Sequence, residues 1–171
     1  MPSREFATFA AGCFWGVEKL FAREFGPKGA TTAVGYMGGT STSPTYQAVC
    51  SGATGHAEAL QLQYDPSKIE YASLVDFFYR IHDPRQRNRQ GNDVGTQYRS
   101  VIFTHTPEQE RIAREVTDKA RQHWKSIATE IVPASTWYPA EDYHQSYLDK
   151  TPNGYECPMH RVRQWMEIEG L

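Results

Sequence analysis

Three cysteines stand in this chain, Cys13, Cys50 and Cys157, and the first has the setting of a nucleophile. Cys13 follows Gly12 where a short apolar run from Glu5 to Ala11 gives way to a helical pattern with Phe14, Val17, Phe21 and Phe25 on one side. A thiol at that point faces the unpaired N–H groups and positive pole of a helix N-terminus, which favour the thiolate. Phe14 and Trp15 come next, closed off by Gly16, so a reacting sulfur would sit beside an apolar cup fit for a methyl group. The plainer alternative is that Cys13 is a small buried apolar residue. Three thiols are too few and too odd in number for a secreted disulfide framework, which favours thiol chemistry in a reducing compartment.

The elements that must hold these groups can be followed along the chain. Residues 5–11 and 30–37 read as strands, and the Gly38 to Ser43 loop with Pro44 behind it delivers Tyr46. Residues 57–64 alternate with period two and carry Glu58, for which an outward-facing position is an equal alternative. A helix with Ser67 as its cap runs from about Tyr71 to Ile81. The polar stretch from Asp83 to Gln97 is too long for a simple connection and reads as one wall of a site. Tyr98 opens a strand over 98–104, Thr106 and Pro107 start a helix over about 108–124, and a short strand lies near 129–133. Together these predict one domain over residues 1–171 of the α+β class. It is a two-layer sandwich, with helices packed on a ferredoxin-like mixed sheet and a long, irregular, flexible C-terminal tail from about residue 136.

Composition narrows the function classes. Eighteen Lys and Arg stand against twenty Asp and Glu, a net charge of -2, and no basic stretch could track a phosphate backbone, so nucleic acid is not expected as a partner. No segment approaches the roughly 18 apolar residues that span a bilayer, and the N-terminus lacks a secretory pattern; the expectation is a soluble cytoplasmic protein without a membrane partner. Cys157-Pro158-Met159-His160 offers two zinc ligands at close spacing, but the other histidines are scattered singly, and no metal or other cofactor is expected.

The segment Gly12-Cys13-Phe14-Trp15-Gly16 resembles the signature of the A-type peptide methionine-S-sulfoxide reductases. Further segments resemble that family in the same order: Gly35-Tyr36-Met37-Gly38-Gly39, Pro44-Thr45-Tyr46, Cys50-Ser51-Gly52, Thr54-Gly55-His56-Ala57-Glu58-Ala59 and His82-Asp83-Pro84. Gln90-Gly91-Asn92-Asp93-Val94-Gly95-Thr96-Gln97-Tyr98-Arg99-Ser100 and Ala140-Glu141-Asp142-Tyr143-His144-Gln145 complete a similarity over nearly the whole chain. The resemblance implies that Cys13 attacks the sulfur of methionine-S-sulfoxide, protein-bound or free. Glu58, protonated in an apolar setting, gives its proton to the oxygen, and Tyr46 and Tyr98 add hydroxyls there. It further implies that Phe14 and Trp15 hold the substrate methyl and that Asp93 anchors its polar portion. Glu141 and His144 belong to a matching segment without a derivable role.

Attack leaves a sulfenic acid on Cys13, which condenses with a nearby thiol. Cys157, in the tail segment Gly154-Tyr155-Glu156-Cys157-Pro158, is the expected resolving thiol, with thioredoxin as external reductant; Cys50 reads as structural. The resemblance also suggests a monomer engaged in repair of oxidised proteins. Two other classes remain open at this stage. One is a cysteine hydrolase using His56 or His144 as base, and the other is a non-catalytic module that holds exposed Met side chains.

Overall fold

The first strand, β1 (Glu5–Ala11), is buried from Ala7 to Ala11 on successive residues, as a run of Ala and Phe requires of a strand covered on both faces. Gly12 ends it with φ at +96°, where a Cβ would lie 2.7 Å from Cβ of Gln90; only glycine meets both conditions without strain. The chain turns at once into α1 (Phe14–Phe25), which buries Val17, Phe21 and Phe25 along one side. Then come β2 (Thr31–Met37), a short α2 (Tyr46–Cys50), β3 (Ala57–Tyr64) and α3 (Tyr71–Arg80). The polar stretch after Asp83 holds a small hairpin, β4 (Arg89–Gln90) with β5 (Asp93–Val94), before β6 (Ser100–Thr104), α4 (Pro107–Trp124) and β7 (Glu130–Pro133). The last part contributes β8 (Tyr138–Pro139), α5 (Tyr147–Lys150) and α6 (Trp165–Glu169). The computed structural model describes residues 3–171.

The main sheet has the order β7-β6-β1-β3-β2-β8. Its centre, β6-β1-β3-β2, is antiparallel throughout, and α1 and α3 make the two crossovers, which is the β-α-β-β-α-β ferredoxin-like arrangement expected from the sequence. β7 adds to β6 in parallel and β8 adds to β2 antiparallel, so the sheet is mixed. Helices cover one face, where Phe9 stacks on Phe21 at 5.4 Å and on Phe78 at 5.3 Å. The opposite face, with Ala10, Met37, Ala59 and Phe103, is closed by Val132 of β7 and by Ala134 and Trp137 from irregular chain, which leaves two layers. No helix among the described residues is long and apolar enough to cross a membrane.

Three local features differ from the sequence reading. Ser67 does not cap α3: its N–H and hydroxyl both donate to Oδ1 of Asp65 in a preceding turn, and the residue before α3 is Glu70. Tyr46 begins a helix instead of lying in a loop, because Oγ1 of Thr45 accepts from the N–H of Ala48 and closes one turn. The chain beyond Thr136 is not wholly irregular, since Tyr138 and Pro139 supply the sixth strand.

At α4 the expected start is correct: Oγ1 of Thr106 accepts from the N–H of Gln109 at 3.0 Å, with Pro107 in the first turn. Thr106→Ala removes that acceptor and should lower unfolding free energy by about 1 kcal/mol in urea titrations. An unshifted unfolding midpoint would mean that the cap adds nothing.

Candidate active site

Period two in β3 places Glu58 on the same face as Leu60, Leu62 and Tyr64, the face that meets the helices, and the side chain is 1% exposed. It thus points under the N-terminus of α1. There the N–H of Phe14 donates to Oε1 of Glu58 at 3.2 Å, while Oε2 is buried without a partner. The next N–H, that of Trp15, donates to the sulfur of Cys13. The first two free amides of α1 are therefore taken up by a carboxyl group and a thiol.

Burial pushes the Glu58 carboxyl up to about 8, against the smaller opposing pull of the Phe14 amide. The Cys13 thiol is pushed well above its ordinary value, first by burial and then by the charge of Glu58, with the Trp15 amide working the other way. This corrects the expectation that the helix terminus holds a ready thiolate. At 6% exposure the desolvation of the sulfur outweighs the dipole, and the resting pair is a thiol beside a carboxylic acid.

Aromatic groups surround this pair. Phe14 is buried, whereas Trp15, Tyr46 and Tyr98 are half-buried. The ring of Tyr46 lies 6.4 Å from that of Phe14 and 6.3 Å from that of Trp15. Tyr46 and Tyr98 are both pushed up by burial first and by the Glu58 charge second, so both hydroxyls remain protonated donors. Cys50, read from the sequence as structural, is hydrogen-bonded by the side chains of Tyr46 and Tyr98 and so lies between them.

Asp93 comes from the hairpin inside the polar stretch, so that stretch does form a wall here. It accepts from the hydroxyl of Tyr155 at 3.1 Å and from the thiol of Cys157. Burial nonetheless leaves its carboxyl above the ordinary range. Cys157 is buried, its sulfur set 3.5 Å from the carbonyl oxygen of Gln90 and close enough to Cys13 for their charges to interact. The structure thus gathers Cys13, Phe14, Trp15, Tyr46, Glu58, Asp93, Tyr98 and Cys157 in one region.

Other residues of this region had no role in the sequence reading. Glu141 takes the hydroxyl of Tyr36 at 2.8 Å and the N–H of Tyr46 at 3.0 Å, which fixes the start of α2 and with it the Tyr46 ring. His144, fully buried, accepts from the indole N–H of Trp15 at 2.9 Å, and Tyr147 stacks on Trp15 with centroids 3.9 Å apart. The Ala140 to Gln145 segment hinted at Glu141 and His144 and nothing hinted at Tyr147, since these contacts span 95 residues or more. Among the described residues no group of three or more His, Cys, Asp or Glu is placed to hold a metal ion. His56 is turned away from Cys13, its ring bonded to the Gly39 amide and the Ser41 carbonyl, and His144 is committed to Trp15, which leaves neither as a base for a hydrolase.

Residues 5–168 match the family described as peptide methionine sulfoxide reductase. The chain is 49% identical over 170 residues to a probable peptide methionine sulfoxide reductase of Schizosaccharomyces pombe, covering 96% of this chain and 99% of the relative. It is 54% identical over 155 residues to the peptide methionine sulfoxide reductase MsrA of Methanoculleus marisnigri, covering 89% and 93%. Among solved structures it is similar to reduced Mxr1 from Saccharomyces cerevisiae, with a TM-score of 0.92 and 41% identity over 95% of this chain and 93% of that one. Mxr1 in complex with Trx2 matches at a TM-score of 0.67 and 27% identity over 95% and 91%.

An acid whose proton is held more tightly in the folded chain contributes stability below its unfolded value, ordinarily 4.5, and loses it as pH rises through about 8. Glu58→Gln cannot ionise and escapes that loss. In urea unfolding the variant should gain roughly 3–5 kcal/mol on the parent between about pH 5 and about pH 9. A gap that does not change with pH would mean that Glu58 is not held neutral.

Proposed function

The chain belongs to the peptide methionine sulfoxide reductase family and reduces methionine sulfoxide, and on that footing we propose that Cys13 is the nucleophile, Glu58 its acid and Cys157 the resolving thiol. The observation that carries this reading is the carboxyl of Glu58. It is anchored through Oε1 by the same helix amide row that meets Cys13, is neutral up to about pH 8, and has Oε2 free to carry and donate a proton.

A sulfoxide is electrophilic at sulfur and negative at oxygen, and its oxygen leaves only when protonated. Glu58 donates from Oε2 to that oxygen, and the hydroxyls of Tyr46 and Tyr98 add hydrogen bonds as charge builds there. The sulfur of Cys13 attacks as its own proton departs. Burial is the first cause of the raised thiol and the charge of Glu58 the second, so a protonated Glu58 makes the thiol easier to ionise. The thiol proton restores the one Glu58 gives up, the S–O bond to methionine breaks, and the hydroxyl passes to the Cys13 sulfur as the S–S bond made in the attack opens. Methionine sulfur gains two electrons, Cys13 loses two, and the products are methionine and a Cys13 sulfenic acid. Phe14 and Trp15 face the substrate methyl, with Trp15 held by His144 and Tyr147, and this rigid placement favours the S epimer at sulfur. Asp93 takes the polar part of the substrate, methionine sulfoxide in proteins or free.

Cys157 then attacks the Cys13 sulfur, a disulfide forms and the hydroxyl leaves as water. A thioredoxin dithiol reduces the bridge, a step supported by the Trx2 complex of the yeast relative. We place this cycle in the cytoplasm, in a monomer that repairs oxidised proteins; the three cysteines, all free, suit a reducing compartment.

Two measurements test the scheme. In a single turnover Glu58→Gln should release methionine about a hundredfold more slowly than the parent, and the parent's rate should fall above about pH 8 while the variant's does not. An unchanged rate and pH profile would remove Glu58 as the acid. Mass spectrometry after one equivalent of substrate should find Cys13 linked to Cys157, whereas a link to Cys50 would exchange the roles of those two thiols.

A further inference from the structure

His160, three residues beyond Cys157, is an imidazole that the reaction above does not use. It is half-buried, and its Nε2 lies 2.6 Å from the carbonyl oxygen of Ala11, at the end of β1. A carbonyl only accepts, so Nε2 carries the ring proton, and Nδ1 is a buried lone pair without a partner. Burial holds the ring neutral by pushing it down to about 4, so this tautomer persists through neutral pH. The ring also fills the space that two glycines leave open: a Cβ on Gly16 would come within 2.5 Å of Nδ1, and one on Gly12 within 3.2 Å of Nε2. Gly12 and Gly16 flank the Cys13 signature; the side chain that closes on Gly16 is His160, and Gly12 is approached by Gln90 first and His160 next.

The other end of the same turn is also tied down. The N–H of His160 donates to the Cys157 carbonyl at 2.9 Å, closing a turn through Pro158 and Met159. Nη2 of Arg163 donates to the Met159 carbonyl at 2.8 Å, and the N–H of Arg163 donates to the carbonyl of Arg80 at the end of α3. Within the turn, the amides of Met159 and His160 both hydrogen-bond the Cys157 sulfur. The sulfur rests on the carbonyl of Gln90, whose side chain packs over Gly12.

We propose that His160 is a positioning residue for the second half-reaction: its ring, wedged over Gly12 and Gly16 and bonded to Ala11, holds the Cys157 turn against the backbone that carries Cys13. This rests on the reading of Cys157 as the resolving thiol. The step it serves is balanced without a further reactant. The Cys157 sulfur bonds to that of Cys13, the S–O bond of the sulfenic acid breaks, and the thiol proton leaves with the hydroxyl as water. Burial and the neighbouring Asp93 raise the Cys157 thiol, the Met159 and His160 amides partly offset them, and that offset lasts only while the turn is fixed. Without the imidazole, the reacting sulfurs meet through a search instead of a preset approach.

The experiment is a rapid-quench single turnover with methionine sulfoxide, following methionine release and the Cys13–Cys157 bond separately in the parent, in His160→Ala and in His160→Gln, whose amide can still donate to Ala11. Methionine release should stay within about twofold of the parent, which also shows the variants to be folded, while disulfide formation in His160→Ala slows by about tenfold to a hundredfold. The pH dependence of disulfide formation should move to higher pH, and His160→Gln should recover part of the rate. Disulfide formation at the parent's rate in His160→Ala would overturn the proposal, as would slowing of methionine release in equal measure. A parent chain that never links Cys13 to Cys157 would overturn the reading of Cys157 itself, and this is seen before any variant is compared.

Discussion

The first turn of α1 is the constraint on which the site depends. A helix N-terminus buried in a protein must find acceptors for its free amides, and here the two foremost go to Oε1 of Glu58 and the sulfur of Cys13. Any movement of the helix therefore moves the carboxyl and the thiol together. The same burial that makes the acceptors necessary also keeps them protonated, because charge on either group would be poorly solvated. What results is a thiol and a carboxyl that are both neutral at rest. A permanently ionised thiol would be open to any electrophile, and desolvation prevents that here.

The ferredoxin-like order supplies the meeting point. β1 and β3 are neighbours, and their antiparallel pairing sets the end of β1, which carries Gly12 and Cys13, beside the start of β3, which carries Glu58. β2 pairs Tyr36 with Glu58 directly, and the Tyr36 hydroxyl reaches Glu141 on the chain that returns from the far end of the sequence. Glu141 in turn sets the start of the helix bearing Tyr46. Sheet register thus passes positional order outward, from the carboxyl at the centre to rings that stand half in solvent.

Much of this was legible in the residues. Gly12 between an apolar run and an amphipathic pattern marks the strand-to-helix turn, and the Thr106-Pro107 start of α4 follows from capping chemistry alone. Glu58 could have been read more firmly, since Leu60, Leu62 and Tyr64 share its alternation and define an apolar face on which a lone carboxyl must be special. Family resemblance, not pattern, drew Tyr46, Tyr98, Asp93 and Cys157 to the same place. Hidden from the sequence was the balance between dipole and desolvation at Cys13, because groups far along the chain, such as Glu58, Asp93 and Cys157, are folded against the thiol. Ser67 is no cap for a local reason: Asp65, two residues earlier, draws its N–H and hydroxyl into a turn that lies before the start of α3. The tail was read as loose because its order comes from contacts with β1, β2 and α3, none of which leaves a periodic trace in the tail itself.

β8 is only two residues long, yet it lies along β2, where Gly35 alone is small enough for Trp137 and the Tyr138 carbonyl to pass. At the opposite margin β7 is short and ends in Pro133, which lacks an amide to offer a neighbour. Both flanks of the sheet are thereby blunted against strand addition by other chains. A sheet bordered in this way gives an extended foreign segment little backbone to pair with.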